Sequence, residues 1–183
     1  MNIAFILNLL TILFAAMGFS ITLKESGLKA FIYYTEISNL LALCSSLFYL
    51  FFPNESAPLR LSALCMLGMT FMISLFVLSK AVGSIKAMMV DGNGIYHHTL
   101  VPIITFISYV FFEKHSSAWY FPVGVSMVYG IVMYVLNYLR KIDGPYPFFQ
   151  VHRLGLKASV LWFFALIAFI SSITFVILFL TVH

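Results

Sequence analysis

The sequence predicts an all-α polytopic membrane protein, a six-transmembrane-helix bundle, on three observations. Of the 183 residues 62% are hydrophobic and 9% charged, with a mean hydropathy of +1.04, whereas soluble domains carry about 25% charged residues. Crossing about 30 Å of hydrocarbon takes roughly 20 mostly apolar residues as a helix, and six stretches qualify: residues 2–23, 31–52, 61–82, 96–112, 121–139 and 158–182. The connections between them are short, so a single transmembrane domain, residues 1–183, uses up the chain.

Each span has its own justification. The first lacks a basic leading region and a small-residue cleavage site, so it reads as a retained helix rather than a signal peptide. The second starts in an aromatic run and stops before a loop bracketed by Pro53 and Pro58. The third runs on to Val82, and Gly92 and Gly94 precede the fourth. Gly144-Pro145 breaks the chain after the fifth, and the sixth is the longest apolar run. These runs are too continuous for barrel strands, which alternate over about ten residues. No inverted repeat of the kind found in transporters stands out.

Charge sets the expected orientation. Lys24, Lys29, Lys80, Lys86, Arg140, Lys141, Arg153 and Lys157 fall in the loops after the first, third and fifth spans, against Arg60 and Lys114 on the other face. The positive-inside rule then puts both termini outside and those three loops in the cytoplasm. The same bias accounts for the net charge of +4 and favours contact with anionic membrane lipids, so no nucleic-acid partner is expected. Cys44 and Cys65 lie within spans, where a thiol serves as a small hydrophobe. A metal site needs three or four ligands. His115 and His183 belong to the opposite face from the paired histidines, which leaves only His152, Glu36 and Asp91 to join them, so neither metal nor cofactor is expected.

Two polar clusters interrupt the starts of apolar spans: Tyr34-Thr35-Glu36-Ile37-Ser38-Asn39 and Tyr96-His97-His98-Thr99-Leu100-Val101-Pro102. Ionisable groups in a membrane point to function by default. Both spans enter from the cytoplasmic side, so the clusters share one leaflet within roughly 6 Å of the helix ends. Thr35, Ser38 and Asn39 have the spacing that stacks side chains on one helix face. Glu36 points about 100° away, towards the interface or a neighbouring helix, with a lysine of the same leaflet as an expected partner. His97 and His98 diverge by the same angle, so one of them at most faces Thr35. Pro102 has no N–H, so if the helix already includes residue 98 the carbonyl of His98 is freed and the turn can open; the alternative is that Pro102 sits in a first turn, where proline is tolerated. Threonine hydroxyls need a neighbouring base to act as nucleophiles, and neutral histidine suits that task near pH 7. The competing account is structural: Thr, Ser and Asn glue helices together by hydrogen bonds, and the histidines are interfacial.

At these clusters the chain resembles the androgen-induced-gene family of integral membrane threonine hydrolases, which cleave fatty acid esters of hydroxy fatty acids, and its bacterial relatives. The likeness lies in Phe31-Ile32-Tyr33-Tyr34-Thr35-Glu36-Ile37-Ser38-Asn39-Leu40-Leu41, in His97-His98-Thr99-Leu100-Val101-Pro102 and in Tyr146-Pro147-Phe148. It implies Thr35 as nucleophile and His97, counted back from Pro102, as base, with His98 the fallback. Glu36 and the doubled histidine depart from the family pattern.

The expected function is therefore lipid ester hydrolysis through an acyl-threonine, with a lipid ester as substrate and a fatty acid as product. Ser38 or Asn39 is the candidate oxyanion donor, and Glu36 or Asp91 a supporting carboxylate. Tyr34, Tyr146 and Phe148 are candidate substrate contacts, although interfacial anchoring is the commoner use of such loop aromatics. The alternative class is a small transporter or lipid-binding protein that uses the same groups for a proton or a headgroup. An intramembrane serine protease fits poorly, because Gly124-Val125-Ser126-Met127 is a weak candidate motif.

Overall fold

The computed structural model describes residues 2–181, and among these every regular element is helical. The last residue of the sixth expected span and His183 lie outside the described residues. The elements are α1 (Ile3–Ser26), α2 (Tyr34–Phe51), α3 (Ala57–Ile73), the short α4 (Ser79–Val82) and α5 (Ile85–Met89), then α6 (Val101–Phe112), α7 (Tyr120–Tyr138), the single turn α8 (Val151–Leu154) and α9 (Leu156–Thr181). Two π-helical turns, Ser74–Leu78 and Ile95–Leu100, join α3 to α4 and lead into α6.

Five helical segments among the described residues are long and apolar enough to cross a membrane: Ile3–Ile32, Ala57–Val82, Ile95–Phe112, Tyr120–Tyr138 and Leu156–Thr181. The remaining expected span, α2, has 18 residues but carries Thr35, Glu36, Ser38, Asn39, Ser45 and Ser46, all buried. Polar side chains that face neighbouring helices lower its hydropathy without shortening it.

Boundaries moved for local reasons. The third span begins at Ala57 rather than at 61, because Pro58 sits in the first turn, where its missing N–H costs nothing. Residues Gly27–Ile32 form a 3₁₀ turn, so α2 starts at Tyr34 and not at 31. Ahead of Pro102 the helix widens, and the N–H of Val101 bonds the carbonyl of Tyr96 five residues back. Pro102 itself falls in the first turn of α6, directly after this π-turn.

Helix α3 sits at the centre and packs against α2, α6, α7 and α9, while α1 closes the other side against α2 and α6. The main core joins Leu61, Leu64, Met66, Met69 and Ile170 with Tyr34, Tyr109, Tyr129, Tyr146 and Phe149.

One end of the bundle is tied by an ion pair that the sequence places in a loop. Arg60 is fully buried and gives a bidentate pair to Glu113, Nε to Oε2 at 2.9 Å and Nη2 to Oε1 at 2.8 Å. Asn8 and Ser108 donate to the same carboxylate at 2.9 and 2.5 Å, and Arg60 also donates to Ser46 at 2.8 Å. Burial alone would raise the Glu113 carboxyl. The Arg60 charge and these hydrogen bonds outweigh it and hold the pKa below its ordinary value. Arg60 is thus a clamp joining α1, α2, α3 and the end of α6, and not a charge of the outer face.

Candidate active site

At the opposite end, the start of α2 meets the loop between α7 and α8. Gly144 lets that loop fold back, because a side chain there would stand 2.6 Å from the Phe149 backbone. The turn is pinned when Asn137 Oδ1 accepts from the Val151 N–H at 2.8 Å and Tyr134 donates to the Phe148 carbonyl at 3.0 Å. Tyr146, Phe148 and Phe149 are thereby buried in the core. Interfacial anchoring does not describe them, since Tyr146 stacks on Phe148, Phe149 meets Phe148 and Tyr129 edge to face, and Phe148 packs at a tilt against Trp162.

This insertion builds a narrow cavity of about 40 Å³ between α2, α3, α7 and α9. Thr35 and Tyr34 line it from α2, Thr70 from α3, Ser74 from the π-turn that follows α3, and Tyr146 and Phe148 from the loop. The Tyr146 hydroxyl bonds to Thr35 and stands 3.5 Å from the Thr35 backbone N–H. Burial pushes the Tyr146 phenol up to about 12, with the Thr35 hydrogen bonds acting the other way, so it stays a neutral hydroxyl at physiological pH. Tyr34 shares a 2.6 Å hydrogen bond with Ser126, which explains the serine of the weak protease motif as a partner of tyrosine. Behind Phe163, which lines both spaces, a larger apolar groove of about 320 Å³ runs between α7 and the start of α9.

The second cluster faces the other side of α2. His97 is fully buried. Its Nδ1 lies 3.0 Å from Oε2 and 3.3 Å from Oε1 of Glu36, and its Nε2 lies 3.2 Å from the Ala15 carbonyl. The carbonyl only accepts, so Nε2 carries a hydrogen. Nδ1 then either carries a second hydrogen towards an ionised Glu36 or accepts one from a protonated Glu36, and in both cases one proton lies between the two residues. Thr22 donates to Glu36 at 3.5 Å and receives Asn93 Nδ2 at 2.6 Å, a polar string that leads to the loop before the second π-turn. Gly18 is what admits the ring: a Cβ there would overlap the imidazole.

The structure thus gathers some predicted residues and separates others. Thr35, Tyr34, Tyr146 and Phe148 share one cavity. His97 is not on its lining, and no hydrogen bond joins Thr35 to His97 among the described residues; their link is Asn39, whose amide donates to the carbonyls of both at 2.8 and 3.1 Å. Ser38 donates to the Thr35 carbonyl at 2.8 Å and pairs with Thr70 at 3.0 Å. Both candidate oxyanion donors have therefore given their hydrogens to main-chain carbonyls. His98 turns to the Met88 carbonyl at 2.8 Å and pins α5 to the helix. Glu36 pairs with His97 and not with a lysine, and Asp91 stands 3.7 Å from Lys86 in an exposed pair. Sequence reasoning missed Thr70, Ser74 and the Gly18 niche. Their only signal was small and hydroxyl residues in otherwise apolar spans.

Comparison with protein-family models, with curated proteins and with solved structures returns no match.

Proposed function

We propose that the protein is an intramembrane lipid ester hydrolase with Thr35 as its nucleophile, in keeping with the family its three motif patches resemble. The observation that carries this reading is Thr35 on the wall of a mostly apolar cavity, with a larger apolar groove on the other side of Phe163. A few polar groups at one end of an apolar space suit an acyl carbonyl and its chain. In this reading Thr35 Oγ1 attacks the ester carbonyl carbon, its proton passes to His97, and the alkoxide departs with that proton. Water then hydrolyses the acyl-threonine to release the fatty acid. The proton step requires the imidazole to leave both the Ala15 carbonyl and Glu36 for the cavity side of α2, with Glu36 keeping the proton the pair shares, so that Nδ1 is free to accept the Thr35 proton while Nε2 keeps its own; Asn39 holds the two backbones together meanwhile.

We read α2 as a sixth span, its polar face turned inward. With Arg60 buried, the exposed basic residues of the loops fall almost all on the Thr35 side, which by the positive-inside rule is cytoplasmic, with both termini outside.

A second reading, a small transporter or lipid-binding protein, draws on the Glu36–His97 pair, which is shut away from the cavity and suited to holding a proton. A fluorophosphonate probe on the purified protein separates the two. Hydrolase function predicts labelling that Thr35→Ala abolishes, together with loss of ester hydrolysis in Thr35→Ala and His97→Ala. Unchanged labelling and hydrolysis in Thr35→Ala, with proton flux in liposomes that needs Glu36, would favour the second.

A further inference from the structure

Buried hydroxyls in this bundle are mostly committed to their own helices. Thr11, Ser45, Ser62, Ser159 and Thr174 each donate to a carbonyl three or four residues earlier, the usual refuge for a hydroxyl in a membrane helix. Among the described residues only the Ser74 and Thr105 hydroxyls are buried without any hydrogen bond. Thr105 does not line the Thr35 cavity, whereas Ser74, 1% exposed, does.

Ser74 also opens the π-turn of α3, where its carbonyl accepts from the N–H of Ser79, five residues on. Such turns recur at functional sites. A buried donor left unsatisfied costs free energy and calls for an explanation. Thr70, one turn earlier at the end of α3, is already paired with Ser38, so of the two hydroxyls on this wall Ser74 is the one still free to meet a ligand in the cavity. The wall around it is supplied by Met69, Ile73, Leu78, Phe163 and Ile167, side chains that suit hydrocarbon.

We infer that Ser74 is the polar anchor of the cavity, donating its hydroxyl hydrogen to the carbonyl or carboxyl oxygen of an acyl lipid whose chain follows the apolar wall. This rests on the lipid reading of the site above and names the group that positions the ligand. Ser74 is a positioning residue in this account, and Thr35 remains the nucleophile.

The test is binding of oleate to the purified full-length protein in detergent, by displacement of a fluorescent fatty acid, with 1-octadecene as a ligand of similar chain and no oxygen. Ser74→Ala weakens oleate about tenfold, the scale of one hydrogen bond; Ser74→Thr restores it, and 1-octadecene binds parent and Ser74→Ala alike. Equal oleate affinity in parent and Ser74→Ala overturns the inference, and Ser74 then meets water only. An equal loss for both ligands also overturns it, because the substitution then acts through packing. If Thr35→Ala abolishes hydrolysis while Ser74→Ala is silent, this inference fails alone. If Thr35→Ala still hydrolyses ester while Ser74→Ala weakens oleate, the hydrolase reading fails alone.

Discussion

His97 is held by Glu36 on one edge, by the Ala15 carbonyl on the other and by the Phe19 ring with centroids 4.7 Å apart. Gly18→Ala would force this tethered ring aside, so we expect the overpacking cost of about 1–3 kcal/mol. Thermal unfolding in detergent reads it, and in a His97→Ala background Gly18→Ala should add little further loss, because the small side chain at 97 leaves room for the new Cβ. Tyr146→Phe keeps the ring stack and removes only the hydroxyl at Thr35; it should lower ester hydrolysis while leaving the unfolding temperature within a few degrees, and a fall in both would assign Tyr146 to packing. At this scale the sequence was partly legible. Helical spacing put Thr35, Ser38 and Asn39 on one buried face, and the structure buries all three. It also turned Glu36 about 100° away, but which helix lies in that direction depends on the order of packing, and no spacing along α2 reveals that α1 and the second π-turn supply the partner.

Among the elements, the firmest prediction concerns the Arg60–Glu113 clamp. Glu113→Gln leaves a buried guanidinium without its counter-charge and should cost about 3–5 kcal/mol, whereas Arg60→Met/Glu113→Leu, which removes both charges, should cost less. The pH dependence has a definite sign. The folded pKa of Glu113 lies below its unfolded value, so the stabilisation is complete above the unfolded carboxyl pKa of about 4.3 and is lost as pH falls through the folded one. An acid titration of the unfolding temperature should show that loss in the parent and a flatter profile in the apolar pair. Helix existence was legible because long apolar runs allow little else in a membrane. The burial of Arg60 was not, since a residue two places after Pro58 reads as loop until the proline is known to start the helix. The inserted Tyr146-Pro147-Phe148 turn was hidden likewise, because aromatic residues beside basic ones look interfacial until Gly144 is seen to fold them inward.

The whole molecule divides its polar chemistry between its two ends, a clamp at one and a cavity and the Glu36–His97 pair at the other. Single cysteines introduced at exposed Lys86 and Lys114, in a background freed of Cys44 and Cys65, should label from opposite sides of intact cells, with position 86 protected from an impermeant reagent and position 114 open to it; the reverse pattern contradicts the orientation proposed here. The sixth span proposed for α2 makes the number of crossings even and so predicts that tags at the two termini are accessible from the same side. The central claim is that Thr35 carries the acyl group of a lipid ester. Intact-protein and peptide mass spectrometry after brief mixing with a long-chain acyl ester tests it most directly. The account predicts the mass of one acyl chain on the peptide containing Thr35, gone in Thr35→Ala; hydrolysis that persists in Thr35→Ala, with no acyl adduct on that peptide in the parent, would contradict it.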